Sequence, residues 1–391
     1  MPNLDNSWEK TDSKSNLLAQ TTYWTETYVF INDSDPIANW NDTMVNNEWC
    51  SGSGTFNDPY VINTVLLLQG SNNTNIEIIN SRAYFQINNC LFLDCDQGIS
   101  LNNVSNGIIS NNLIIDMSSN FVNIYNCTNI TVNYNVMHDI CIEGITVSHS
   151  TNISIIENVI DTFCLMNYGI DLDYVNYSKV INNSVSFTAG YAKCALYHSN
   201  NNLIMNNSLL STGGSGLILY TSQNNQILNN TIKDCGDAII LYNKSNSNEI
   251  SHNYLAIRDT GIRLNDNSGL NFIINNIIDT STIFETGKGN LGIKLYKCTN
   301  NTVLLNYITN LGSGIYLSFS NYSFVINNTL LYNGNCIKEY NSIGNEFSNN
   351  NCIPIPEENP IIGGYILFIL IFISIFGLLI HLRRNLKKIK K

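Results

Sequence analysis

Gly169-Ile170-Asp171-Leu172, followed by Val180 and then by Asn182-Asn183-Ser184-Val185, is the stretch that decides the fold. A short alternating strand leads, after a turn, to an asparagine with an apolar residue three positions before it and another two positions after it. The same asparagine returns at Asn89, Asn112, Asn135, Asn158, Asn183, Asn207, Asn230, Asn253, Asn276, Asn306, Asn328 and Asn350, at spacings of 22 to 30 residues, most of them 23. Two residues after it stand Leu91, Ile114, Met137, Ile160 and their successors through Cys352. Three residues before it the side chain is apolar in every repeat but Gln86. Short runs such as Gly98-Ile99-Ser100-Leu101 and Gly314-Ile315-Tyr316-Leu317 sit 11 to 15 residues upstream. Period-2 runs of β-branched and aliphatic residues between Asn, Ser and Gly turns are strands. A coil of two or three such strands cannot bury its own apolar face, but stacked copies can.

The expected fold is all-β: a right-handed parallel β-helix solenoid of about 12 coils with an interior Asn ladder. Each coil climbs one strand spacing of about 4.8 Å, so the rod is on the order of 55 Å long. The asparagines have a structural task in it. Backbone groups buried at a tight bend need partners, and a column of side-chain amides can supply them from coil to coil.

Composition limits the function. The net charge of −11 hides an asymmetry, because six of the 19 basic residues lie in the last nine positions, Arg383 to Lys391, and no acid follows Glu358. The remainder carries 13 basic against 30 acidic residues, or −17. An acidic rod argues against nucleic acid as a partner. The 11 cysteines are odd in number. Cys141 and Cys164 fall in adjacent coils, either as a disulfide or as buried thiols in the stack.

Along the chain, residues 1–22 are polar and aperiodic, an expected disordered segment without a signal-like apolar core, which suggests a start upstream of Met1. Residues 23–70 read as a cap and first partial coil, and 71–353 as the β-helix. A Pro-rich stalk at 354–360 precedes Ile361 to Ile380, 20 uncharged residues long enough for one transmembrane helix. The basic tail 381–391 would face the cytoplasm, leaving the rod outside a cell membrane. Sequons such as Asn103, Asn182 and Asn229 fit that placement. The longest spacing, from Asn276 to Asn306, holds an excursion at 282–290 read as a protruding loop.

Gly52-Ser53-Gly54-Thr55 and Asp58-Pro59-Tyr60-Val61-Ile62, followed by coils of Gly-Ile-x-Leu and Asn-Asn-x-Ile, resemble archaeal-type cell-surface proteins of the right-handed β-helix repeat family. These are similar to the pectate-lyase-like superfamily and to NosD-like periplasmic proteins. The resemblance covers about residues 50–353 and implies the fold. For activity it implies a range that spans lyases, hydrolases, epimerases and binding scaffolds.

Stacking turns the sequence into columns, and three deserve a chemical reading. Asp94, Asp116, Asp139 and Asp161 would stack about one strand spacing apart. Such carboxylates are turn residues, a Ca²⁺ site, or an acid–base pair. Tyr125, Tyr197, Tyr220, Tyr242, Tyr296 and Tyr340 share one outward spot, with Asp173 and Asn265 between them. Tyr197, Tyr220, Tyr242 and Tyr296 make either a platform for sugar rings or ordinary β-surface packing. Two residues earlier, Asp171, Ala195, Ile218, Ile240, Arg263, Lys294, Tyr316 and Lys338 form a third column. Asp171, Asp173, Arg263 and Lys294 are the catalytic candidates, on a face suited to an acidic polysaccharide. In lyases of the resembled superfamily a base and a Ca²⁺ site occupy a comparable face. The Asn-Thr-Asp, Gly-His-Gly and Arg-Ile-Lys motifs of polygalacturonases are absent, and His138, His149, His198 and His252 are scattered across coils. The expected function is a membrane-anchored surface protein that binds glycans. A polysaccharide lyase or glycoside hydrolase, and an adhesion rod, are the alternatives.

Overall fold

The computed structural model describes residues 23–70, 73–211, 213–280 and 290–354, apart from the side chains of 163–166, 187–189, 211 and 354. The expected disordered start, the loop at 282–290 save Asn290, the transmembrane segment at 361–380 and the basic tail lie outside the described residues. Among the described residues no helix is long and apolar enough to cross a membrane.

The chain winds as a parallel β-solenoid. One coil consists of the strands Ser105–Ser110, Leu113–Met117 and Val122–Tyr125. Each pairs in parallel with its counterpart in the next coil: Ser105 with Thr128, Leu113 with Val136, Val122 with Ile145. Alternation puts every second side chain inside, where like stacks on like. Ile62, Ile87, Ile109, Val132, Ile155, Val180, Ile204, Ile227, Ile250, Ile273, Val303 and Val325 form one unbroken inward column, all buried. Removing such a side chain from water stabilises by about 1.5–3 kcal/mol, which is why the repeat tolerates only apolar residues there.

At the corner before the Leu113-type strand, each ladder amide serves two coils. Asn230 Nδ2 donates to Ile204 O and to Asn253 Oδ1, and its own Oδ1 accepts from the backbone N–H and the amide of Asn207. The same bonding runs from Asn112 through Asn135, Asn158, Asn183, Asn207, Asn253, Asn276, Asn306 and Asn328 to Asn350. Asn89 is a correction to the expected series. Leu91 pairs with Leu113, so Cys90 occupies the first ladder position and its N–H donates to Asn112 Oδ1. Asn89 takes the exposed, left-handed position beside it (φ 53°) and bonds Asn63 instead. Asparagine tolerates that backbone better than most residues, so adjacent asparagines share the corner between two tasks.

The other interior corner carries a second ladder that the sequence reading missed. Asn202, Asn225, Asn248, Asn271 and Asn301 bond in series, beside a column of Ser199, Ser222, Ser245 and Ser268. Its signal was in plain view as Ser-x-x-Asn at the same period, as in Ser222-Gln223-Asn224-Asn225.

The two ends differ. At the first coils a helix, Trp40–Asn46, is started by Asn39, whose side chain accepts from Asp42 N–H. It buries Trp40 against Tyr60 and Phe85, at ring distances of 5.0 and 5.3 Å. Trp40 Nε1 donates to Ser81 Oγ, which in turn donates to Asp33. At the last coils Cys336 and Cys352 are disulfide-bonded. Cys352 therefore serves in a covalent staple as well as holding its place in the expected apolar series. Glu339 stands in the inward column of Leu317 and accepts from Asn345 Nδ2. Cys141 is also disulfide-bonded, while the side chain of Cys164 lies outside the described set. Seven other cysteines are buried thiols.

Candidate functional site

The outward columns of the Val122-type sheet register as the repeat implies. Tyr125, Ser148, Asp173, Tyr197, Tyr220 and Tyr242 follow one another, then Asn265, Tyr296, Ser318 and Tyr340. Beside them run Asp171, Ala195, Ile218, Ile240, Arg263, Lys294, Tyr316 and Lys338. In the middle of the rod the strands lengthen. Val159–Asp173, Ser184–Tyr197, Thr231–Tyr242 and Tyr254–Asn265 each run past the usual turn. Ala192, Ile218 and Ile240 are consequently buried in a small cluster of their own, with Tyr168 and Tyr242 packed against it.

This local burial changes the chemistry of the face. The Tyr168 and Tyr197 hydroxyls are hydrogen-bonded at 2.8 Å, and Tyr191 meets the Tyr168 ring edge-on. Burial pushes the Asp171 carboxyl up to about 7, helped by the nearby negative charges of Glu143 and Asp173 and opposed by the Leu172 N–H. Asp171 Oδ1 is buried and makes no hydrogen bond, and the same holds for Arg263 Nε and Asn265 Oδ1. Three of the five such atoms among the described residues thus lie on this one face.

The four catalytic candidates do not form one centre. Asp171 and Asp173 share a strand, and Arg263 pairs with Lys294 in the next coil. Four coil steps, about 19 Å, separate the two pairs. Arg263 is committed to Asp237 at 2.8 Å, with Asp259 at 3.6 Å and Thr260 Oγ1 also in reach. Burial raises Asp237, and the Arg263 charge pulls it back. Lys294 and Lys297 lie over the Tyr296 ring, at 5.8 and 5.0 Å from its centroid, within cation–π range. Tyr197 and Tyr220 are neighbours at 5.9 Å.

The acidic column is shorter than expected. Asp94, Asp116 and Asp139 stack at a left-handed corner, with φ of 51°, 56° and 54°. Asp161 pairs with His138, so Thr162 rather than Asp161 continues the column. The reason is an offset of one residue, because Asp161 stands three positions after Asn158, whereas Asp116 and Asp139 stand four after Asn112 and Asn135. Among the described residues no three His, Cys, Asp or Glu side chains are placed to hold a metal ion.

Two histidines prove less scattered than their spacing implied. His149, Tyr174 and His198 occupy one corner in successive coils and stack at 5.0 and 4.5 Å. His198 Nδ1 lies 3.4 Å from Asp173 Oδ1. His149 and His198 stand 49 residues apart, about two periods, which is the signal that could have joined them.

With the geometry in place, the likenesses to known proteins fall into a pattern. Residues 143–290 match the family described as periplasmic copper-binding protein (NosD). No curated protein matches the chain. Among solved structures, the A-module of mannuronan C-5 epimerase AlgE6 from Azotobacter vinelandii is similar at 15% identity and a TM-score of 0.52, covering 77% of this chain and 90% of that one. The periplasmic alginate epimerase AlgG is similar at 14% identity and a TM-score of 0.53, covering 84% of this chain and 85% of that one. At such identities the likeness speaks for the fold. The chain is a right-handed parallel β-helix.

Proposed function

We propose that this is a surface β-helix protein that binds an acidic polysaccharide along the face running from Asp171 to Lys294. The observation that carries the reading is the outward strip of aromatic and basic side chains on that face, with Tyr197 beside Tyr220 at 5.9 Å and Lys294 over the Tyr296 ring at 5.8 Å. A protonated Asp171 can donate to a sugar carboxylate, Lys294 supplies positive charge, and the tyrosines between them offer apolar area with polar tips. The length of the face suits a chain of several sugars. Two solved proteins of similar fold are named as alginate or mannuronan epimerases, which act on such chains. The uncharged segment 361–380 and the basic residues after it support a membrane anchor with the rod outside the cell.

The test uses the full-length chain in nanodiscs, titrated with oligogalacturonate and oligomannuronate. Binding is expected, and it should weaken about tenfold, or 1.4 kcal/mol, in a Tyr220→Ala/Lys294→Gln variant. No binding to either, or equal binding by the variant, would sink the proposal.

One observation favours a second reading, an enzyme on the same polysaccharide. A carboxyl titrating near neutrality beside a pair of bonded tyrosine hydroxyls is suited to proton transfer. Release of unsaturated ends or of new reducing ends, abolished by Asp171→Asn, would establish it. Copper handling is not proposed, because the described donor residues do not converge on any metal position.

A further inference from the structure

On the other sheet, away from the Asp171 face, the rod carries a groove of about 520 Å³. Its floor is the outward column Lys179, Leu203, Gln226, Glu249 and Phe272, five consecutive coils in strict register. Along one side run the corner residues Tyr177, Asn201, Asn224 and Ser247, each with a left-handed backbone.

The polar groups of this groove are of two kinds. Asn202 and Asn225 also line it, but their amides are spent on the interior ladder. The side-chain amides of Asn201, Asn224 and Gln226 are exposed, and none of them makes a hydrogen bond among the described residues. Asn201 and Asn224 sit in adjacent coils, about 4.8 Å apart along the rod. Each offers two donors and an acceptor. Lys179 and Glu249 contribute one charge of each sign. An exposed aromatic ring stands at either end, Tyr177 and Phe272, 68% and 50% exposed and four coil steps or about 19 Å apart. Tyr177 keeps its left-handed φ of 53° although asparagine is the easier residue there.

We infer that this groove is a second carbohydrate site, and that it takes a neutral oligosaccharide chain laid along the rod axis. Amides repeating at about one coil step match the hydroxyl groups of successive pyranose units. The end rings supply flat apolar faces for sugar rings. The absence of net charge separates this site from the Asp171 face, where Lys294 and a titrating carboxyl select an acidic chain. The inference stands independently of the function proposed for that face.

The experiment measures binding of cellohexaose, mannohexaose and maltohexaose to the full-length chain in nanodiscs, by saturation-transfer NMR and calorimetry. Oligogalacturonate is followed in parallel as the report on the other face. At least one neutral chain should bind. Its affinity should fall tenfold or more in Tyr177→Ala/Phe272→Ala and stay unchanged in Tyr220→Ala/Lys294→Gln. Asn224→Asp/Gln226→Glu keeps side-chain size and should also weaken it, which decides the matter if the aromatic variant melts early. Failure of all three neutral chains to bind overturns the inference. So does full affinity in both groove variants, or an equal loss in the Tyr220/Lys294 variant. Loss of oligogalacturonate binding alone would count against the Asp171 face and leave the groove standing.

Discussion

The first and last coils of the rod solve one problem with different chemistry. A solenoid end leaves a whole coil without a neighbour on one side. At the first coils the answer is aromatic burial, with Trp40 laid flat on Tyr60 and anchored through Ser81 to Asp33. At the last coils it is a covalent link, Cys336 to Cys352, with Glu339 and Asn345 bonded across the inward column. Between them the coils are held chiefly by repetition, each ladder amide bonded to the next, with the disulfide of Cys141 added. The ends depend on individual side chains, whereas the middle depends on a column.

Trp40→Ala should show the largest effect, a loss of about 3–5 kcal/mol in chemical denaturation, because it leaves a cavity and removes a donor from Ser81 Oγ. A variant that unfolds like the parent would mean that the helix does not close the rod. Cys336→Ser opens a loop of 16 residues and should cost about 3 kcal/mol. The double variant with Cys352→Ser should cost no more, and both should equal the parent under reducing conditions. Asn230→Ala tests the middle. It strips partners from the Asn207 N–H and the Ile204 carbonyl, for a loss of about 2–3 kcal/mol.

A smaller effect separates the middle from both ends by pH. Asp171 holds its proton more tightly in the folded chain than in the unfolded one. The stability linked to it is complete below about pH 4 and is lost as the pH rises toward 7. Asp171→Asn should remove that decline between pH 4 and 8, read from melting curves. An unchanged pH profile would place the carboxyl in water. The smallest effect is expected at Asn89→Ala, within about 0.5 kcal/mol. Asn112→Ala, by contrast, should cost about as much as Asn230→Ala. Equal losses at Asn89 and Asn112 would restore Asn89 to the ladder.

The sequence showed the fold through one repeated residue. An amide accepts from one coil and donates to the next, so Asn112 to Asn350 stand out by identity and period. The outward columns were legible too, since register follows once the period is known. Asn89 misled because it stands 23 residues before Asn112, the usual period, whereas the coil there is 22 residues and puts Cys90 at the ladder position. Asp161 misled because its spacing of 22 from Asp139 passes for one period, although the coil from Asn135 to Asn158 is 23 residues and leaves Asp161 one position short. The second ladder went unseen because serine and asparagine share it. The elevated Asp171 was beyond reach from sequence, because its burial lies where the strands continue past the usual turn.

The Asn column has one property beyond cohesion. Every amide in it points the same way, each Nδ2 donating to the Oδ1 one coil further on, from Asn112 through Asn328 to Asn350. Strand backbones give a sheet little net dipole, but aligned amides add head to tail and polarise one another. The rod thus has an electrical direction, with its positive pole toward Asn350. An anionic group bound along it rests more favourably near that pole than near Cys90, so a chain with one charged end has a preferred way round.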